Sequence, residues 1–67
     1  MISDREIWQC AQIMVRRYRA DAMLEAASRS DRLLDEGDMA GGEVWHRILN
    51  AIERLQATKP GEGERVQ

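Results

Sequence analysis

Residues 36–47 read EGDMAGGEVWHR, and this stretch decides how the chain folds. Glycines beside acidic residues occur in loops that bind phosphate or metal ions, and also in corners between helices. A phosphate-binding loop of this kind follows a strand and contains a lysine, and neither feature is present here. Glycine readily adopts the left-handed conformation that ends a helix, and aspartate is a preferred N-cap. We therefore predict a corner in which Gly37 ends one helix and Asp38 caps the next.

Helical periodicity extends on both sides of this corner. After it, apolar residues recur at helical spacing and predict an amphipathic helix over residues 39–57. Before it, a stripe that includes small residues predicts a helix over residues 21–36. Gly41 and Gly42 fall in the first turns of the later helix, and we predict that one or the other lets another helix pass close by. The two stripes are Met23, Ala26, Ala27, Ser30, Leu33 and Leu34, then Trp45, Ile48, Leu49, Ile52 and Leu55.

The N-terminal part of the chain predicts a further helix, over residues 4–18. Ser3 and Glu6 have the spacing of a capping box, in which each side chain accepts a hydrogen bond from the other residue's backbone N–H. The residues that follow alternate between an apolar and a polar face with helical periodicity. The apolar face consists of Ile7, Trp8, Ala11, Met14, Val15 and Tyr18.

The apolar faces of the first two predicted helices are out of phase. They differ by roughly 110°, so one straight helix cannot present both to a single core. We predict a break within YRADA, residues 18–22, with Asp21 as the N-cap that follows; a kinked continuous helix is the alternative. The expected fold is all-α, a three-helix bundle over residues 1–57 in an up-down-up arrangement. Residues 58–67 are rich in Gly and charge, and we predict a disordered tail there.

Composition bounds the class of protein. With 67 residues the chain fits one small domain, and it has no apolar run near the ~20 residues that span a bilayer. The first eight residues contain an acid at position 4 and no apolar segment, so we expect no signal peptide and a cytoplasmic protein. The single Cys10 agrees, because one cysteine cannot form an internal disulfide.

Charge is unevenly distributed, although the net charge is only −2. Residues 1–20 contain four arginines and two acids, whereas residues 21–38 contain six acids and two arginines. The absence of a general basic excess does not favour nucleic-acid binding. Two neighbouring segments of opposite charge could attract each other within the fold.

No constellation of residues indicates catalysis, a cofactor or a metal ion. His46 is the only histidine and has no second histidine or cysteine at ligand spacing. Cys10 could act as a nucleophile only with His46 as its base. The four acids near the corner lack the pattern of a calcium-binding loop and are interpreted as a solvated face. We predict that the protein is not an enzyme; those acids are Asp31, Asp35, Glu36 and Asp38.

The motif RRYR at residues 16–19 is the one basic cluster that contains an aromatic residue. Arginines around a stacking tyrosine are typical of nucleic-acid binding, so a nucleic-acid-associated regulator that uses Arg5, Arg16 and Arg19 is our alternative hypothesis. Against it, Tyr18 falls on the buried face, and cations are favourable at a helix C-terminus for structural reasons. The helix after the corner also begins without basic or amide residues that could read bases.

Two large aliphatic residues lie off the predicted buried faces: Ile13 on the first helix and Leu24 on the second. A chain this small has a thin core, and a partner subunit would add to its stability. We therefore predict a small helical module that forms a homodimer or binds another protein. The residues assigned to this partner-binding surface are Ile13, Leu24, Arg16 and Arg19.

Three stretches also carry a resemblance to a known family. They are DREIWQCAQIM at residues 4–14, ADA at residues 20–22, and SDRLLDEGDMAGGEVWHRILNAIERLQ at residues 30–56. Together they are similar to a family of short, uncharacterised alphaproteobacterial proteins. That family often has a glycine before the ADA segment, where this chain has Arg19. The resemblance implies a helical protein and brings no activity, cofactor or catalytic residue.

Overall fold

The computed structural model describes residues 2–57, and the predicted tail at residues 58–67 lies outside this part. The described residues form an all-α fold without strands. Among them, no helix is both long enough and apolar enough to cross a membrane. The elements in chain order are α1 (Asp4–Tyr18), a 3₁₀ turn (Arg19–Asp21), α2 (Ala22–Asp35) and α3 (Met39–Ala57).

The predicted break between the first two helices is a bend within one long helical segment. The 3₁₀ turn joins α1 directly to α2 without an intervening loop, although the backbone of Arg19 itself departs from helical angles. The backbone N–H of Ala22 donates to the carbonyl oxygen of Arg19, which keeps a helical hydrogen bond across the bend. The segment contains neither Gly nor Pro, so nothing forces the helical path to stop. The fold is thus a long bent helix followed by α3, and the alternative of a kinked continuous helix describes it better.

Asp21 does not have the predicted capping role. Its side chain accepts no hydrogen bond from the start of α2, and α2 spans Ala22–Asp35 in place of the predicted 21–36. The preceding 3₁₀ turn supplies carbonyl acceptors to this end of α2, so a side-chain cap is not required there. The bounds of α1 and α3 agree with the sequence prediction.

The bend depends on an unusual backbone conformation at Arg19. Its φ is 52° and its ψ is −116°, and it is the one non-glycine residue with positive φ in the described chain. These angles match the first central position of a type II′ turn, which glycine dominates. The carbonyl oxygen of Arg19 accepts a hydrogen bond of 2.9 Å from Nε2 of Gln56, so the end of α3 is attached to the bend.

The three other predicted helix ends, at Ser3, Gly37 and Asp38, are confirmed. Ser3 and Glu6 form the reciprocal capping box, with hydrogen bonds of 3.1 and 3.2 Å. Gly37 has φ of 86°, and the backbone N–H groups of Gly37 and Asp38 bond carbonyl groups in the last turn of α2, as in a Schellman motif. Oδ1 of Asp38 then accepts from the N–H of Gly41 at 2.9 Å. The stretch EGDMAGG is therefore a corner between helices.

The core is small, and alanine contributes half of it. Among residues 2–57, only Ile48 and Ile52 are large side chains that are completely buried. Small side chains let the helix axes approach closely, so even a thin core excludes water. Leu34 lies on the predicted buried stripe of α2, yet it is 42% exposed because it sits at the end of the helix. The buried apolar residues are Ile7, Ala11, Met14, Ala22, Ala26, Ile48, Ala51 and Ile52.

The two inner glycines of the corner have different roles. Gly42 is buried, and a Cβ atom built there would lie 2.5 Å from Cδ2 of Leu34 and 3.4 Å from the backbone oxygen of Ser30. Oγ of Ser30 also donates to the carbonyl oxygen of Gly42 at 2.9 Å. Gly42 therefore permits the predicted close passage of another helix. At Gly41 the Cβ would meet only the capping carboxylate of Asp38, at 2.6 Å, so this glycine leaves room for the cap.

We expect Arg19→Gly to raise the free energy of unfolding by about 1 kcal/mol, because glycine relieves a strained conformation worth ~1–3 kcal/mol while adding backbone entropy to the unfolded chain. The control is Arg19→Ala, which removes the same side chain but keeps Cβ and hence the strain. Its stability should stay within about 0.5 kcal/mol of the natural chain. Urea denaturation measures both, and equal stabilities of the Gly and Ala variants would contradict the strain at Arg19.

Candidate interaction surfaces

The four residues that the sequence assigned to partner binding all lie on the surface. Ile13 is 51% exposed on α1, and Leu24 is 71% exposed on α2. Arg16 and Arg19 are also exposed. Ile13 and Arg16 are one helical turn apart and therefore neighbours on α1, whereas Arg19 lies in the bend. Exposure of large aliphatic side chains is what an interaction surface requires.

A second apolar area flanks the corner between α2 and α3, and the sequence analysis did not identify it. Met39 is 68% exposed and stands beside the partly exposed Leu34. Together with His46 they line a shallow groove of about 300 Å³. Met39 precedes the regular stripe of α3, so periodicity gave no signal for it. The groove is completed by Ser30, Gly42 and Glu43.

Arg29 connects the three helical elements, a role that its sequence position alone did not indicate. Its Nη2 donates to the hydroxyl of Tyr18 at 3.0 Å, and its Nη1 lies 3.7 Å from the sulfur of Met14. The guanidinium group stands over two aromatic rings, 5.6 Å from the centroid of Tyr18 and 5.1 Å from that of Trp45. Such cation–π contacts contribute roughly 0.5–1 kcal/mol each at exposed sites. Arg29 thus holds the half-buried aromatic side chains of α1 and α3 against α2.

A second groove, of about 260 Å³, separates α1 from α3. Asp4 and Arg47 form an ion pair across it at 2.8 Å. The guanidinium group of Arg54 stands 5.9 Å from the ring centroid of Trp8. Because both arginines already have partners within the chain, this groove is a contact between helices and offers few free groups to a ligand.

The oppositely charged segments do not pair with each other in the described part of the chain. The ion pairs there join Arg29 to Glu25 within α2 and Arg47 to Asp4 between α3 and α1. Arg16 and Arg17 of α1 therefore have no acidic partner among residues 2–57, and both are exposed. On the other side of the bend, the predicted solvated acids Asp31, Asp35 and Glu36 are also exposed and have no basic partner among residues 2–57. These charges remain available to another molecule.

Cys10 is not among the residues that line the groove of His46. His46 is exposed and lines the groove at the corner, whereas Cys10 is partly buried on α1. Asp38 is engaged as a helix cap. Among residues 2–57, no group of histidine, cysteine and acidic side chains has the arrangement of a metal site.

Comparisons with protein-family models, with characterised proteins and with solved structures found no match to this chain. The similarity to short alphaproteobacterial proteins therefore stays a prediction carried by the sequence motifs.

We expect Arg29→Ala to lower the free energy of unfolding by about 1–2 kcal/mol, because it removes one hydrogen bond and two cation–π contacts from a thin core. The matched control is Arg32→Ala on the same helix, since Arg32 is exposed and has no ion pair within the described chain. The control should change stability by less than about 0.5 kcal/mol. Thermal or urea unfolding compares them, and equal effects would refute the bridging role of Arg29.

Proposed function

We propose that this protein is a small helical interaction module that works by self-association. The observation that carries the proposal is the exposure of Ile13 and Leu24, at 51% and 71%. Exposed aliphatic side chains are common singly, but here two occur where the described part of the chain has only two large side chains that are completely buried. Burying them against a partner adds apolar contact area that the monomer lacks.

The size of the core supports the same proposal. A single core in a chain of this length supplies roughly 3–5 kcal/mol of net stability. Within the described residues, Ile48 and Ile52 are the only completely buried large side chains, and the aromatic residues Trp8, Tyr18 and Trp45 are half-buried. Binding of a second folded chain stabilises the native state by mass action. Self-association would therefore add stability to a chain whose own core is small.

We also infer that the long bent helix and α3 correspond to the up-down-up bundle expected from the sequence. In support, residue numbers rise in both α1 and α3 from the pair Asp4–Arg47 to the pair Trp8–Arg54, as expected for parallel helices. From the pair Ser30–Gly42 to the pair Arg29–Trp45 the residue number falls in α2 and rises in α3, as expected for antiparallel helices. Such an arrangement leaves the outer faces of α1 and α2, with Ile13 and Leu24, free for a partner.

A non-catalytic role in the cytoplasm is part of this proposal. It is supported by the free thiol of Cys10, which has no second cysteine to pair with. The separation of Cys10 from the groove that contains His46 also favours binding over nucleophilic catalysis. Membership of the alphaproteobacterial family that the sequence resembles belongs to the same proposal.

A nucleic-acid-associated regulator is the alternative function. Arg5, Arg16 and Arg19 are exposed, and none of them forms an ion pair with another described residue. Arginines without acidic partners are able to neutralise phosphates. The alternative is weaker, because Tyr18 is held by Arg29 through its hydroxyl and its ring. It is therefore not free to stack on a base.

If self-association uses Ile13 and Leu24, then Ile13→Ser and Leu24→Ser should each raise the dimer dissociation constant roughly tenfold or more. The reason is that full burial of such a side chain contributes ~1.5–3 kcal/mol, and 1.4 kcal/mol is a factor of ten. Ala40→Ser, at an exposed position of α3, is the control and should leave the constant unchanged. Analytical ultracentrifugation over a range of concentrations measures it; a strict monomer at millimolar concentration would defeat the proposal.

For the alternative function, a gel-shift titration with short duplex and single-stranded oligonucleotides should show binding that weakens steeply as salt increases. The triple variant Arg5→Gln, Arg16→Gln, Arg19→Gln should lose that binding, whereas Arg32→Gln on α2 should keep it. No shift of the natural chain at low ionic strength would remove this alternative.

A further inference from the structure

The exposed aliphatic residue of α1 stands among arginines. Arg16 and Arg17 follow Ile13 by three and four residues, so all three side chains are neighbours on one face of the helix. Neither arginine has an acidic partner in the described part of the chain. We call this surface the basic patch, defined as Ile13, Arg16 and Arg17.

The exposed aliphatic residue of α2 shares its helix face with two acids, which lie about 10 and 16 Å further along the helix. Leu24, Asp31 and Asp35 follow one another at seven and four residues, with the exposed Ser28 between them, so they share the helix face opposite the core. Neither acid has a cationic partner among the described residues. We call this surface the acidic patch, defined as Leu24, Ser28, Asp31 and Asp35.

The two patches are complementary in character. Each presents one large aliphatic side chain on the same helix face as two charges, which are positive on α1 and negative on α2. Arg32 is the one cation next to the acidic patch, and it too is exposed and unpaired within residues 2–57. Complementary charge steers association and fixes the register of an interface, while the aliphatic residue supplies the buried area.

We propose that the occupant of these patches is a second copy of this chain, whose basic patch contacts the acidic patch of the first. The inference deepens the proposed function and rests on it. A copy of this chain is the partner that is certain to carry both complementary surfaces. Because α1 and α2 are consecutive segments of the bent helix, a two-fold axis pairs each basic patch with the other copy's acidic patch. Both contacts are then made at once, and the assembly closes as a dimer.

The interface explains why the charged segments stay apart within one chain. Arg29 takes the position on α2 that faces α1, where it bonds Tyr18, so the acids of α2 are left on the outer face. Charge pairs between exposed side chains are weakened by salt, with a screening length of ~10 Å at 0.1 M. Self-association of the natural chain should therefore weaken as ionic strength rises.

Charge reversal provides the test. The variant Arg16→Glu, Arg17→Glu makes both patches acidic, and the variant Asp31→Lys, Asp35→Lys makes both basic. At low salt, each should raise the dimer dissociation constant at least ~tenfold in analytical ultracentrifugation. The chain that carries all four substitutions regains complementarity, and its constant should return to within about threefold of the natural value.

Mixing the two reversed variants gives an independent result. An all-acidic chain and an all-basic chain should form a heterodimer, although each alone is dissociated at the same concentration. Glu53→Lys, an exposed charge reversal on α3 outside both patches, is the matched control and should leave the constant unchanged. Circular dichroism checks that every variant keeps its helix content, so that loss of association is not loss of fold.

Failure of this inference is distinguishable from failure of the proposed function. A natural chain that stays monomeric at millimolar concentration overturns both. A chain that associates through Ile13 and Leu24, but does so equally in all charge variants, overturns the two-patch interface and leaves self-association standing. The same conclusion follows if the fourfold variant and the mixed variants fail to recover association.

Discussion

The close contact between α2 and α3 at Gly42 is the constraint on which the rest of the structure depends. The hydroxyl of Ser30 donates to the Gly42 carbonyl oxygen, and a Cβ atom at Gly42 would lie 3.4 Å from the Ser30 backbone oxygen, so the two helices approach closely there. At that separation only small residues fit between the helices, which is why alanines supply much of the core. The same closeness leaves little apolar volume to bury. A thin core is thus the consequence of how the corner is built.

A thin core makes contacts at its edge important. Arg29 stands at that edge, where its guanidinium group lies over the rings of Tyr18 and Trp45 and its side chain is 36% exposed. In this position one charged residue links α1, α2 and α3. Arg29 occupies the side of α2 that faces α1, and the other charged residues of these two helices form no ion pair with each other in the described chain. One side chain on α2 therefore contacts both of the other helices.

The bend shows how local strain and tertiary contact combine. Arg19 adopts a conformation that glycine favours, and its carbonyl group is bonded by Gln56 from the end of α3. Strained residues persist when the surrounding structure holds them in place. Here the packing of α1 and α2 on α3 provides that restraint. The outer faces of the bent helix, which carry the exposed Ile13 and Leu24, are oriented by the same bend.

Local chemistry was sufficient to predict the helix ends at Ser3, Gly37 and Asp38 and the all-α class, because capping and periodicity act over a few residues. It was not sufficient at Asp21, where a 3₁₀ turn replaced the expected cap, or at Leu34, where the end of the helix leaves a stripe residue exposed. The bridging by Arg29 joins three elements that are distant in sequence. Its partners were set by how the helices pack, and no periodicity within one helix encodes that. The sequence determined which faces are apolar and which charges exist; only the tertiary structure decided which of them are buried, paired or left exposed.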